Sequence, residues 1–208
     1  MCAMIPDLEN YFRGFIPPRD QLLLDLEKEA EQENIPIVGP VVGELLYILA
    51  RAANAGAILE LGTATGYSTI YFARAVAAAD GRVTSLEISE AMAERARANF
   101  ARAGLAQRIQ VLVGDALTSM AGFSGPFDLI FLDIDKESYL KTLPHCHRLL
   151  KTGGLLIADN VGFLGAEDFN REIFTRRKQW RTVHLLCSLP HHSPEKDGLS
   201  LALKVGLG

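Results

Sequence analysis

Short apolar runs bounded by turn residues recur along this chain, and between them the apolar positions fall three and four apart. The runs predict strands over 57–61, 82–87, 109–113, 127–132 and 154–158. The intervening pattern predicts helices over 67–79, 89–103 and 137–150, with a short one near 117–121. Uninterrupted apolar strands alternating with helices indicate a parallel sheet covered on both faces. After a helix over 166–179 the alternation stops. Strands near 181–188 and 199–205 have only a loop between them, so a final hairpin places one antiparallel strand in the sheet. The expected class is therefore α/β: seven strands, mostly parallel with one antiparallel, and helices on both faces.

Upstream, Asp20 is placed to cap a helix from Gln21 to Gln32, with Leu22, Leu23 and Leu26 facing inward. The segment 35–40 breaks it, and Pro40 opens the next helix, which carries Leu45, Leu46 and Leu49. Asp7–Arg19 is aromatic and proline-punctuated, an N-terminal arm expected to pack over the active site or onto a second subunit, as in a homodimer. No repeat, low-complexity tract or linker divides the chain. It reads as one domain over 1–208, with arm and helix in 1–34 and the core in 35–208.

Composition narrows the class little: 49% hydrophobic and 22% charged residues are ordinary for a globular protein. The formal charge of −4 argues against general attraction to nucleic acid or anionic membrane. Cys2, Cys146 and Cys187 are few and unclustered, which points to reduced thiols in a cytoplasmic protein rather than disulfides or zinc. No apolar run reaches transmembrane length.

The chemistry gathers around Ile58-Leu59-Glu60-Leu61-Gly62-Thr63-Ala64-Thr65-Gly66-Tyr67-Ser68, a strand passing through a glycine turn into a helix. Gly62 and Gly66 permit a tight turn and close ligand approach. Ser68 offers a hydroxyl and the free N–H groups of a first helical turn. The turn lacks the third glycine of a pyrophosphate binder, and Glu60 would repel a diphosphate while accepting an ammonium. Glu87 ends the next strand, where a carboxylate can pair with two ribose hydroxyls. A nucleoside with an amino-acid tail suits both ends, and S-adenosylmethionine is the ligand expected. A bare βα turn with no ligand is the alternative for this stretch alone.

Two further strands end in oxygen donors: Asp133-Ile134-Asp135-Lys136 and Asp159-Asn160. Asp133, Asp159 and Asn160 form an all-oxygen set suited to a hard cation, Mg²⁺ first, with Mn²⁺ or Ca²⁺ also compatible. Acids after strands are also ordinary loop caps. Lys136, one turn beyond Asp133, is a candidate base if nearby positive charge favours its neutral form; otherwise it is a surface lysine paired with Asp135 or Glu137.

Glu60-x-Gly62-Thr63-x-x-Gly66-Tyr67-Ser68, Phe131-Leu132-Asp133-x-Asp135-Lys136-x-x-Tyr139 and Ala158-Asp159-Asn160 resemble the motifs of the cation-dependent O-methyltransferases. That family includes catechol and caffeoyl-coenzyme A O-methyltransferases and small bacterial relatives, and the likeness runs from about residue 20 onward. It implies the Rossmann-like methyltransferase sheet. It implies S-adenosylmethionine contacts from Glu60, Gly62, Thr63, Ser68, Glu87, Ala116 and Asp135, with Asp115 beside the adenine and Val38 at the cofactor entrance. It also implies cation ligation by Asp133, Asp159 and Asn160, and Lys136 as general base. Two departures stand out: Gly39 replaces an acid common in bacterial members, and the loop before Asp197-Gly198 is longer and carries His191 and His192.

The expected activity is methylation of a hydroxyl on a small catechol-like or phenolic acceptor. A 5-hydroxyuridine in tRNA is the alternative, encouraged by the basic group Arg171, Arg176, Arg177, Lys178 and Arg181. That group reads equally as a solvated helix face. A nicotinamide oxidoreductase is disfavoured by Glu60 and the missing glycine, and a non-catalytic module leaves Lys136 and the oxygen donors unexplained. His145-Cys146-His147 is not expected to bind metal, because neighbours on a helix do not share a face.

Overall fold

The computed structural model describes residues 3–206. Its seven strands form one sheet in the order β3-β2-β1-β4-β5-β7-β6. They are β1 (Ala57–Leu61), β2 (Arg82–Glu87), β3 (Ile109–Val113), β4 (Phe127–Leu132), β5 (Leu150–Ala158), β6 (Trp180–Ser188) and β7 (Lys196–Lys204). The first five are parallel; β7 runs antiparallel to both β5 and β6. This is the expected seven-stranded Rossmann-like arrangement.

Alternation along the strands builds two cores. Ile58, Leu129, Phe131 and Ile157 face one side, where they meet α2 (Gln21–Glu33), α3 (Gly39–Ala52), α4 (Tyr67–Val76) and α5 (Glu90–Arg102). Leu59, Leu61, Ile130, Leu132 and Leu156 face the other, under α6 (Ala116–Ala121), α7 (Tyr139–Leu149) and α8 (Glu167–Thr175). With both faces covered, the central strands β1 and β4 need no polar side, and so their sequences read as nearly unbroken apolar runs.

Boundaries follow local chemistry. Asp20 caps α2 by accepting from the Leu23 N–H at 3.1 Å. The helix expected over 166–179 stops at Thr175, because Arg176 leaves helical geometry and Trp180 must turn in to start β6, where it is buried. The arm forms a short helix, α1 (Leu8–Arg13), capped by Asp7. It reaches the chain's other end through ion pairs of Arg13 with Glu195 and Glu9 with Lys196. Tyr11, Phe12 and Phe15 remain exposed. Among the described residues, no helix is long and apolar enough to cross a membrane.

Strand order reverses between β1 and β4: β2 and β3 lie to one side, β5 and the hairpin to the other. The chain therefore diverges above the carboxyl ends of β1 and β4, and a crevice opens there.

Candidate active site

A cleft of about 340 Å³ occupies that crevice. Gly62, Thr63 and Ser68 reach it from the β1–α4 turn, Glu87 from the end of β2, and Asp115 and Ala116 from the start of α6. Asp133, Asp135 and Lys136 follow β4, Asn160 follows β5, and Val38 precedes α3. Three of the expected residues do not line it: Glu60, Gly66 and Asp159.

Gly62 has φ +99°, and an added Cβ would lie 2.0 Å from the Asp133 carbonyl oxygen. The turn can press against the backbone leaving β4 only without a side chain. Gly66 has φ +87°, and its Cβ would meet the Phe100 ring at 2.3 Å, so this glycine serves packing under α5.

Glu60 lies beneath the turn, fully buried. Its carboxylate accepts from the hydroxyls of Ser68 and Ser85, each at 2.6 Å, and from Thr69. Burial pushes its pKa up to about 7 against the pull of those three hydroxyls. Glu87 accepts from the Thr63 and Ala64 N–H groups at 3.2 and 2.8 Å on one oxygen, and from the Ser89 N–H at 2.9 Å on the other. It thereby clasps the turn while lining the cleft. Asp115 caps α6, accepting from the Thr118 N–H and hydroxyl, which hold its carboxyl below the usual range.

The second half of the site is charged differently. The Lys136 ammonium donates to Asp133 Oδ1 at 3.0 Å. Burial and the nearby Asp159 charge raise the Asp133 carboxyl. Asp159, fully buried, receives His192 Nε2 on both oxygens at 2.8 and 3.0 Å. Burial pulls the His192 pKa down, but the hydrogen bond and charge of Asp159, the Pro194 carbonyl and the Asp133 charge together outweigh this and leave it raised. Asn160 adopts φ +50°, and its amide donates to Asp197 Oδ2 at 2.7 Å and to the Ser193 carbonyl at 3.1 Å, which directs Oδ1 away from both. The Tyr139 hydroxyl lies 3.0 Å from the carbonyls of Leu132 and Asp159 and ties together the ends of β4 and β5.

Among the described residues, no three His, Cys, Asp or Glu side chains come close enough to hold a metal. The expected set of Asp133, Asp159 and Asn160 contains two carboxylates and an amide. Its fit to a cation rests on its charge partners. Lys136 and His192, both basic, sit on the two carboxylates and stand in for the positive charge a cation would bring.

The sequence alone marks no role for Asp197, and it shows His192 only as one of two histidines in a longer loop. It shows the longer loop and Gly39 separately, yet they are one feature. Gly39 has φ +68°, and its Cβ would lie 2.6 Å from the His191 carbonyl oxygen, so an acid there would strike the loop. The paired histidines between two prolines were the only signal. Cys146 is buried with its thiol pushed up to about 12, and His147 packs edge-on against Trp180, in keeping with packing roles.

A family model described as O-methyltransferase matches residues 19–181. The chain belongs to the O-methyltransferase family. It is an S-adenosylmethionine-dependent methyltransferase of the catechol and caffeoyl-CoA type. It is 36% identical over 179 residues to the catechol O-methyltransferase of Mycobacterium tuberculosis, covering 83% of this chain and 81% of that one. Over 160 residues it is 36% identical to the catechol O-methyltransferase of Niastella koreensis, covering 74% and 72%. In structure it resembles an O-methyltransferase from Bacillus cereus crystallised with SAH, with a TM-score of 0.84, 30% identity and coverage of 95% and 96%.

Proposed function

We propose that this O-methyltransferase acts on one hydroxyl of a small catechol-like or phenolic acceptor, with a divalent cation, Mg²⁺ by preference and Mn²⁺ or Ca²⁺ as substitutes. The carrying observation is that Lys136, Asp133 and Asn160 line the same cleft as Thr63, Ser68, Glu87 and Asp115. The catechol O-methyltransferases among the relatives support a small acceptor.

S-adenosylmethionine brings an activated methyl group on a sulfonium, so the protein's task is alignment, exclusion of water and movement of one proton. Thr63, Ser68 and the Gly62 backbone receive the amino-acid end of the cofactor. Glu60 acts from below by holding the Ser68 hydroxyl, and Gly66 lets the turn close. Glu87 takes the ribose hydroxyls; Asp115 and Ala116 flank the adenine, Asp135 lines the donor side, and Val38 edges the entrance. Asp133, Asp159 and Asn160 would hold the cation, which lowers the pKa of the acceptor hydroxyl from about 10 and orients it. The positive charge of the cation and of the sulfonium would favour the neutral amine of Lys136, and Nζ, its extra proton given up to solvent, would take the proton of the acceptor hydroxyl.

The chain acts as one methyltransferase domain over 1–208. The exposed aromatic face of α1 supports a homodimer. The unpaired thiols of Cys146 and Cys187 support a cytoplasmic setting. A tRNA acceptor has less behind it, since Arg171 and Arg176 are paired with Glu167 and Glu172. The test is transfer of labelled methyl groups to a catechol panel and to bulk tRNA, read by mass spectrometry. Transfer to catechols is expected; transfer to tRNA alone would overturn the small-acceptor reading.

A further inference from the structure

The segment from Leu189 to Glu195 touches the site through Ser193, which accepts from Asn160, and through His192 on Asp159, and it is firmly built. Leu189 is buried in the core. The Leu189 N–H donates to the Glu195 carbonyl at 2.7 Å and the His192 N–H to the Leu189 carbonyl at 3.0 Å, closing the loop on itself. Glu195 also accepts from the His191 N–H at 3.1 Å and pairs with Arg13. Gly39 packs directly under His191. His192 is therefore delivered by a braced loop.

Its side chain is 1% exposed and that of Asp159 is 2% exposed. Nε2 stands astride the carboxylate, 2.8 Å from one oxygen and 3.0 Å from the other, where a cation chelated by both oxygens would sit. Nδ1 faces the Pro194 carbonyl oxygen at 2.6 Å. Both ring nitrogens are thus occupied, Nε2 by the Asp159 carboxylate and Nδ1 by the Pro194 carbonyl, and in this position the ring presents no free nitrogen to a cation. In this seat the ring is a competitor for Asp159 and not a ligand.

We propose that His192 sets the affinity of the Asp133, Asp159 and Asn160 site for its cation by competing for Asp159; this rests on the cation reading above. A cation that gains Asp159 lifts the imidazole from at least one oxygen and loosens the loop that carries it. The coupling is reciprocal: whatever holds the loop down weakens the cation, and the cation weakens the loop's hold.

Calorimetric titration with Mn²⁺, without acceptor, tests this on the native chain and on His192→Ala. The variant should bind Mn²⁺ about tenfold more tightly, within the usual range of coupling between competing sites. In the native chain, Mn²⁺ should speed amide exchange at Leu189 and His192. Removal of the ring leaves Asp159 buried without its partner, so melting temperatures are taken with and without Mn²⁺; His192→Ala should gain more from the ion than the native chain. Gly39→Ala keeps the imidazole but pushes the loop, and should tighten Mn²⁺ by a smaller factor. Equal or weaker binding by His192→Ala, with unchanged exchange in the native loop, would overturn the proposal. Absence of Mn²⁺ binding in every form would remove the cation reading itself and this inference with it.

Discussion

Two pairs of acids stand at the carboxyl edge of this sheet, and they are satisfied in opposite ways. Glu60 and Glu87 are held by neutral donors: the hydroxyls of Ser68, Thr69 and Ser85, and the N–H groups of Thr63, Ala64 and Ser89. Asp133 and Asp159 face basic side chains, Lys136 and His192. Neutral donors fix a carboxylate in place and shape a turn around it. Basic partners match the charge of a dication and can be exchanged for one. Acidic side chains near the carboxyl ends of neighbouring strands are thus held by neutral donors in one half of the site and paired with basic side chains in the other.

The comparison breaks first under chelation. Exhaustive treatment with EDTA should reduce methyl transfer to background, with recovery on adding Mg²⁺; full activity in metal-free buffer would put the second pair of acids on the same footing as the first. Lys136→Ala should lower kcat by roughly 10²–10⁴-fold, the usual range for loss of a general base. Its affinity for S-adenosylhomocysteine, measured calorimetrically, should change little, and unchanged kcat would remove Lys136 from proton transfer.

The scaffold half makes a different prediction. The pKa of Glu60 is raised to about 7 in the folded protein from the ordinary 4.5. The folded state therefore binds more protons than the unfolded state between these values, and the group's contribution to stability falls as pH rises through that window. At ~1.4 kcal/mol per pKa unit this amounts to about 3 kcal/mol. Glu60→Gln should flatten that part of the pH dependence in urea unfolding at pH 5 and pH 8; parallel curves for variant and native protein would show that Glu60 does not titrate there. The smallest effect is expected at the surface. Arg13→Ala breaks an exposed ion pair with Glu195 and should leave the urea midpoint almost unchanged, with less effect still in high salt. A larger drop would mean that the arm braces the His192 loop more strongly than an exposed pair allows.

Much of the fold was legible along the chain. β1, β2, β3 and β4 begin and end where the sequence places them, and for the central β1 and β4 the reason is burial on both faces, which keeps them apolar apart from Glu60 and Asp128. Helix ends were less legible. The stop at Thr175 depends on where Trp180 enters the sheet, and a helical periodicity does not record that. Within the site, the residue types after each strand were visible, but their partners were not. Nothing near Glu60 in sequence announces that Ser85 will donate to it from the adjacent strand, or that Asp197 will orient Asn160.

The sequence by itself determined the sheet, the glycine turn, the acids and amide at the strand ends and the lysine after β4. Those features are local: each follows from a periodicity, a turn requirement or a residue placed next to its strand. Only the tertiary structure decided which acids are locked by hydroxyls and which face basic groups. It also decided that Gly39 and the His192 loop form one packed unit. Contacts between residues far apart in the chain depend on how strands are ordered and how closely backbones approach, and those distances exist only once the sheet has closed around its two cores.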